Sequence, residues 1–177
     1  MKQSLFTLEH ARQLTADTYE LVLSGDTSAV TAPGQFVNIQ LPGKFLRRPI
    51  SICNWTEDAL LLLVRVVGEG THDLVRCVPG TELDVLSGLG NGFDWTKGGQ
   101  HPILLGGGIG IAPLYGLAQR MLEAGITPTV GLGFRSGKDA FYLEEFSKLG
   151  CRLLVATEDG SLGTCGFVTD LAKNVPE

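Results

Sequence analysis

Closely spaced cysteines are missing from this chain. It has four, Cys53, Cys77, Cys151 and Cys165. No two are spaced as the C-x₂₋₄-C pair that a zinc or iron–sulfur site normally shows. They read as reduced thiols, and no metal ligand is expected among them. Long apolar runs are missing too. The longest, Ala59 to Val64, stops at Arg65 and is far too short to cross a bilayer. The opening Met1-Lys2-Gln3-Ser4-Leu5-Phe6 has no apolar core and no small-residue cleavage site, so no signal peptide is expected. Positive charge is scarce: 14 basic against 19 acidic residues give a net charge of −5. With no basic stripe, nucleic acid is excluded as a default partner. Charged residues make up 19% and hydrophobic residues 44% of the 177 positions, which excludes a disordered chain. The expectation is a soluble, cytoplasmic protein of one or two small domains.

Glycine, in contrast, is abundant at 24 residues, as many tight turns or phosphate-approaching loops require. The first half reads as β structure. Short runs rich in Val, Ile, Leu and Phe cover Leu5 to Leu14, Thr18 to Leu23, Gln35 to Leu41, Pro49 to Asn54, Leu60 to Val67 and Glu82 to Leu86. Phe36, Ile39 and Leu41 do not alternate cleanly, so period alone leaves their face open. Short strands at this spacing predict a closed antiparallel barrel. A helix is expected over Thr71 to Val78, capped by Thr71 and ended by Pro79-Gly80.

The rhythm changes near Trp95-Thr96-Lys97-Gly98-Gly99-Gln100, taken as a linker between domains at 1–97 and 98–177. Pro102 to Leu105, Thr129 to Phe134 and Arg152 to Ala156 read as strands. Ala112 to Ala124 reads as a helix with Leu114, Leu117, Ala118, Met121 and Leu122 at helical spacing, closed by Gly125. Asp139 to Leu149, closed by Gly150, and a start at Phe167 to Lys173 read as further helices. Alternating β and α with short loops implies a parallel sheet with right-handed crossovers. No repeat or low-complexity segment is present.

The loop Gly106-Gly107-Gly108-Ile109-Gly110-Ile111-Ala112-Pro113 follows a strand and opens a helix. Its glycines let the backbone approach a pyrophosphate, and the first helical amides point at the anion. Pro113 sits near the helix start, where its missing N–H costs little. The pattern is G-x-G-x-x-P, not the dehydrogenase G-x-G-x-x-G. A tight βα turn without a ligand is the plainer alternative. Where an acidic residue often meets the ribose, the second strand ends Phe134-Arg135-Ser136. Arg135 suits a 2′-phosphate, or it is only a solvated strand end, so NAD against NADP stays open. Thr157-Glu158-Asp159-Gly160 follows the third strand, where ligands gather, and a plain turn is its alternative.

The barrel half carries Arg47-Arg48-Pro49-Ile50-Ser51-Ile52. Arg48 offers a rigid fork that matches a phosphate. Ser51 lies three residues on, about 10 Å along a strand. One group can therefore hold a phosphate while the other reaches a ring system. Later comes Arg65-Val66-Val67-Gly68-Glu69-Gly70-Thr71, where Gly70-Thr71 opens the expected helix. His10, His72 and His101 are scattered and read as surface or helix-end residues. Trp55 and Trp95 sit at turns. Phe36 and Phe45 flank the RPIS strand, with core packing as the default reading and a cofactor wall as the alternative. Cys53 reads as a buried, inert thiol.

In their order, RPIS, GEGT and GGGIGIAP resemble the ferredoxin–NADP reductase superfamily. LRRPISIC, RVVGEGT and ATEDGSLGTCGFVTD look like the electron-transfer subunits of class 1B dihydroorotate dehydrogenase, and the resemblance covers nearly the whole chain. It implies a six-stranded antiparallel FAD-binding barrel followed by an incomplete parallel Rossmann-like NAD(P)-binding domain. It implies FAD on Arg48, Pro49, Ile50, Ser51, Arg65, Val66, Val67, Gly70 and Thr71, with Ser51 near flavin N5. It places a nicotinamide nucleotide against the glycine loop, Gly107, Gly108, Gly110, Ile111 and Pro113, and the strand-end residues Arg135, Glu158 and Asp159 stand as candidates beside it. The family passes electrons between a catalytic FMN subunit, a [2Fe-2S] cluster, FAD and NAD, so a hetero-oligomer with that dehydrogenase subunit is implied, working in pyrimidine biosynthesis. A hydrogenase or ferredoxin:NADP oxidoreductase subunit, or a non-catalytic flavin-binding docking subunit, are the alternatives. The chain departs from the family in having no cysteine-rich cluster segment and no later strands of the nucleotide fold. Cys165 has no partner cysteine nearby, so no cluster ligand is carried over. On this reading the chain is a fragment, a split product or half of an assembly, with its first parallel strand left as an apolar edge.

Overall fold

The computed structural model describes residues 1–99 and 101–174. Gln100, the last residue of the expected linker, and residues 175–177 of the expected second domain lie outside them. The chain divides into two compact units, Met1–Phe93 and Asp94–Glu177, meeting just ahead of the expected boundary at 97.

The first unit is a closed barrel of six strands: β1 (Lys2–Gln13), β2 (Thr18–Gly25), β3 (Phe36–Gln40), β4 (Arg48–Trp55), β5 (Ala59–Arg65) and β6 (Glu82–Leu89). Their order is β1-β2-β5-β4-β3-β6, and every pairing is antiparallel. Closure leaves no sheet edge. Period-2 alternation turns Phe6, Leu8, Leu21, Leu23, Val37, Ile39, Leu60, Leu62, Leu83 and Val85 into one core. Phe36 pairs with Ser51 and Leu89 and stays half-buried, while Val37 and Ile39 face inward, which settles the face that period alone left open.

One short helix, α1 (Glu69–Val75), sends Leu74 and Val75 into the barrel core. The expected span of Thr71 to Val78 is corrected at both ends. Gly68 is the N-cap residue and Arg76 the C-cap. Thr71 therefore sits in the first turn rather than capping it from outside, and Val78 is exposed beyond the end.

The second unit is a parallel sheet in the order β10-β9-β8-β7, built from β7 (Ile103–Gly107), β8 (Thr129–Phe134), β9 (Arg152–Thr157) and a two-residue β10 (Thr164–Cys165). The strand β7 stands at one edge of the described sheet. Helix α2 (Ala112–Glu123) buries Leu114, Leu117, Ala118 and Met121. It ends at Gly125, whose N–H donates to the Leu122 carbonyl at 2.9 Å.

The helix expected over Asp139 to Leu149 is broken. A 3₁₀ turn covers Gly137–Asp139, and α3 begins only at Leu143, running to Leu149. Between them Tyr142 takes φ 65°, a left-handed conformation unusual for a non-glycine residue. Its ring is buried and meets Tyr115 edge-on at 5.4 Å. Aromatic packing offsets the backbone cost. The last expected helix is a 3₁₀ segment, Val168–Asn174. It lies so close to β8 that a Cβ at Gly133 would sit 2.6 Å from the Val168 Cβ.

Candidate functional site

In the barrel unit, two neighbouring arginines do different work. Arg47 is spent on the fold. Its Nη2 pairs with Asp84 Oδ2 at 2.8 Å, and its Nη1 reaches Asp84 Oδ1 at 3.1 Å and the Asp84 carbonyl at 3.0 Å. The Arg47 guanidinium holds the Asp84 carboxyl below its ordinary range. Arg48, one residue on, meets no carboxylate among the described residues. Its Nη1 donates to the Leu46 carbonyl at 2.7 Å, and its Nε lies against the backbone of Gly70, where any Cβ would collide with the guanidinium. A side chain at position 70 would push the Arg48 guanidinium aside. A planar cation is laid on the first turn of α1.

By helix geometry the first amides of α1 have no intrahelical acceptor. Thr71 organises the turn before them. Its hydroxyl accepts the N–H of Val67 at 3.0 Å and of Gly68 at 3.3 Å, and donates to the Gly68 carbonyl at 3.0 Å. The structure thus brings together Arg48, Gly70, Thr71 and Val67. The guanidinium lies beside the start of α1, where side-chain cation and helix amides both suit an anion.

The other expected barrel residues fall as follows. Pro49 and Ser51 are exposed on the outer face of β4, while Ile50 points into the core, so only its backbone faces the outside. Arg65 is taken up by Asp17, with Nε to Oδ2 at 2.7 Å. Burial pushes Asp17 up, but the Arg65 hydrogen bond and the Thr18 and Thr15 hydroxyls outweigh it, leaving the carboxyl low. Val66 packs partly buried against the core, and the Val67 side chain is 80% exposed.

In the parallel-sheet unit, the glycine loop runs from the end of β7 through a 3₁₀ turn, Gly108–Ile111, into α2. Two of its glycines are explained by the fold. Gly108 has φ 51°, and a Cβ at Gly106 would sit 2.7 Å from Leu114 Cδ1. Gly107 and Gly110 are not. A Cβ on Gly107 would meet only the Gly133 carbonyl oxygen, at 3.8 Å, and one on Gly110 would meet nothing within 4 Å. Both are exposed. Bare backbone without an internal reason fits the approach of a phosphate. Ile111 is fully buried, so it anchors the loop rather than facing a ligand. Pro113 lies in the first turn of α2.

A cleft of about 440 Å³ opens at the carboxyl ends of β8 and β9, lined by Ser136, Gly137, Lys138, Asp159 and Ser161. Asp159 was expected here. Its carboxylate accepts the Ser161 hydroxyl at 2.6 Å and the Ser161 N–H at 3.0 Å, which hold it below the ordinary carboxylate range. Backbone bonds from Glu158 to Phe134 and from Asp159 to Arg135 tie the two strand ends together. The Arg135 side chain is 63% exposed and stands 4.0 Å from Asp139. Ser136, Lys138 and Ser161 also line this cleft and were not among the expected site residues. Their signal was available, since each follows a parallel strand at the end where ligands bind. Among the described residues, no cluster of His, Cys, Asp and Glu could hold a metal ion, and no helix is long and apolar enough to cross a membrane.

No family model matches the chain. It is 41% identical over 184 residues to the electron transfer subunit of dihydroorotate dehydrogenase B (NAD(+)) of Listeria monocytogenes, covering 100% of this chain and 72% of that protein. The subunit of the same name from Geobacillus sp. is 41% identical over 179 residues, covering 97% of this chain and 69% of its own length. Among solved structures, the NADH-dependent reduced ferredoxin-NADP oxidoreductase superposes with TM-score 0.86 at 32% identity. That match covers 97% of this chain and 63% of that one, so the chain spans less than two thirds of that structure. The flavohem-like FAD/NAD binding domain of a Vibrio cholerae nitric oxide dioxygenase shares the fold, with TM-score 0.80 at 18% identity over 91% of this chain and 77% of its own.

Proposed function

The chain belongs to the family of dihydroorotate dehydrogenase B (NAD(+)) electron transfer subunits, and from that membership we propose that it carries electrons between a partner dehydrogenase and NAD through bound FAD. The observation that supports this most is the Arg48 guanidinium lying on the bare backbone of Gly70. A cation there sits beside a helix start whose first amides have no intrahelical acceptor, an arrangement that suits a pyrophosphate.

In this reading Arg48 and the first-turn amides of α1 hold the FAD pyrophosphate. Thr71 fixes the turn that aims those amides. Pro49 and Ser51 flank the isoalloxazine on the outer face of β4, and Ser51 hydrogen-bonds near N5. The backbone of Ile50 and of Arg65 to Val67 borders the same ligand. Gly107, Gly108 and Gly110 let a nicotinamide nucleotide approach α2, with Ile111 and Pro113 shaping the loop. Arg135 is the candidate for a 2′-phosphate, and Glu158 and Asp159 for a ribose or the nicotinamide amide. The chemistry supplied by FAD, when bound, is hydride exchange with the nucleotide and one-electron transfer onward. The protein's part is orientation, and no general acid or base is required.

The proposed partner is the FMN-containing catalytic subunit of a dihydroorotate-oxidising enzyme, in a cytoplasmic hetero-oligomer. The [2Fe-2S] cluster of the family is assigned to no residue of this chain. An anaerobic absorbance spectrum, titrated with NADH and then NADPH, tests the reading. Yellow protein bleached by NADH is the expected result. Colourless protein that cannot be reconstituted with FAD overturns it.

A further inference from the structure

The cleft at the ends of β8 and β9 is walled by two loops, and one side chain ties them together. The turn Gly137–Asp139 is 3₁₀, and its first N–H, on Gly137, has no acceptor within the turn. Ser161, from the loop after β9, supplies one: its hydroxyl accepts the Gly137 N–H at 2.8 Å. A hydroxyl has one proton to give, and that of Ser161 goes to Asp159 Oδ1 at 2.6 Å. The same carboxylate oxygen accepts the Ser161 N–H at 3.0 Å. The far side of Ser161 is fastened as well. The buried Thr157 hydroxyl donates to the Leu162 carbonyl at 2.8 Å and accepts the Leu162 N–H at 3.0 Å. Ser161 therefore meets the Gly137 turn from a loop that is already held to the end of β9.

The same two loops share backbone ties, from the Glu158 N–H to the Phe134 carbonyl at 3.1 Å and from the Asp159 N–H to the Arg135 carbonyl at 3.2 Å. Those ties sit at the strand ends. The Ser161 bond lies further out, at Gly137, between two residues that line the cleft. We propose that Ser161 is a positioning residue for the nicotinamide nucleotide. It holds the Ser136–Lys138 turn against the Asp159 loop and so sets the width of the cleft before the nucleotide arrives. This role rests on the nucleotide reading of the cleft. Ser161 need not touch the ligand to fill it. A turn left to move must be ordered on binding, and the cost of ordering falls on affinity. A residue that only orders the turn changes how much NADH is needed, not how fast bound NADH reacts.

The test takes the FAD-loaded full chain as wild type, Ser161→Ala and Ser161→Thr, and follows anaerobic flavin bleaching over a range of NADH concentrations. Ser161→Ala is expected to raise the half-saturating NADH concentration about two- to ten-fold, the fold-change of one net hydrogen bond, at an unchanged limiting rate. Ser161→Thr keeps the hydroxyl and stays close to wild type. FAD content and melting temperature hold in both variants, because the position is exposed. Unchanged half-saturation in Ser161→Ala overturns the positioning role. A lowered limiting rate also overturns it, because it puts Ser161 in the transfer step rather than in binding. A Thr variant as weak as the Ala variant overturns it as well, since the hydroxyl is then not what matters. So does a melting temperature many degrees lower in Ser161→Ala, which makes the bond a support of the fold. A wild type whose flavin NADH does not bleach overturns the nucleotide reading itself, and the role of Ser161 with it. With wild type bleached, that reading stands whatever the variants do.

Discussion

The barrel unit builds its candidate site from side chains, whereas the parallel-sheet unit offers bare backbone. In the barrel, Arg48 lies on Gly70, Thr71 ties the turn before α1, and Lys44 braces the neighbouring loop. In the sheet unit, Gly107 and Gly110 stand open with almost nothing near them. The difference matches two kinds of binding. A resident cofactor gains from a cradle that is already assembled, because less ordering is lost when it binds. A nucleotide that comes and goes needs only close approach and a helix end. Side-chain cradles should therefore break at one atom, and backbone loops should fail only when something blocks the approach.

Gly70→Ala is the sharpest way to break that contrast. The added methyl displaces the Arg48 guanidinium, which is flexible, so the fold survives. Loss of charge-assisted contacts costs about 1.5–3 kcal/mol, or roughly ten- to a hundred-fold in FAD affinity, measured by equilibrium dialysis. Gly110→Ala tests the other unit. Open space around the position predicts a melting temperature within a degree or two of wild type, while KM for NADH rises about ten-fold as the loop loses close approach. Equal losses of stability and affinity there would erase the distinction.

The smallest effect concerns Arg47 and belongs to the fold alone. Its partner Asp84 has a folded pKa below the ordinary value of 3.8. The pair's stabilisation is therefore complete above the ordinary aspartate range and is lost as pH falls below about 4. Arg47→Met should flatten the acid limb of a melting-temperature profile, with a stability change of about 1 kcal/mol at neutral pH, and leave FAD affinity in place.

Much of this was legible in the sequence, because short β-branched and apolar runs punctuated by Gly, Pro, Asp and Asn mark strands. The barrel strands and the βα rhythm were read from them, and Gly125 and Gly150 marked helix ends. What escaped was set by tertiary contact. Adjacent Arg47 and Arg48 look alike in sequence, and only strand register gives Asp84 to the first and Gly70 to the second. The start of α1 was misread because Gly68 caps it and Thr71 works from inside the turn. The break before α3 was hidden because Tyr142, not glycine, takes the left-handed conformation. Phe45, which is 96% exposed, was misread because nothing local separates a core phenylalanine from a displayed one.

The role of the Arg48 guanidinium in holding FAD is decided by the FAD content of Arg48→Ala after gel filtration, set beside that of Arg47→Ala. Arg48→Ala is expected to fold normally and emerge nearly colourless, while Arg47→Ala is less stable but yellow. Yellow, fully loaded Arg48→Ala would contradict that role.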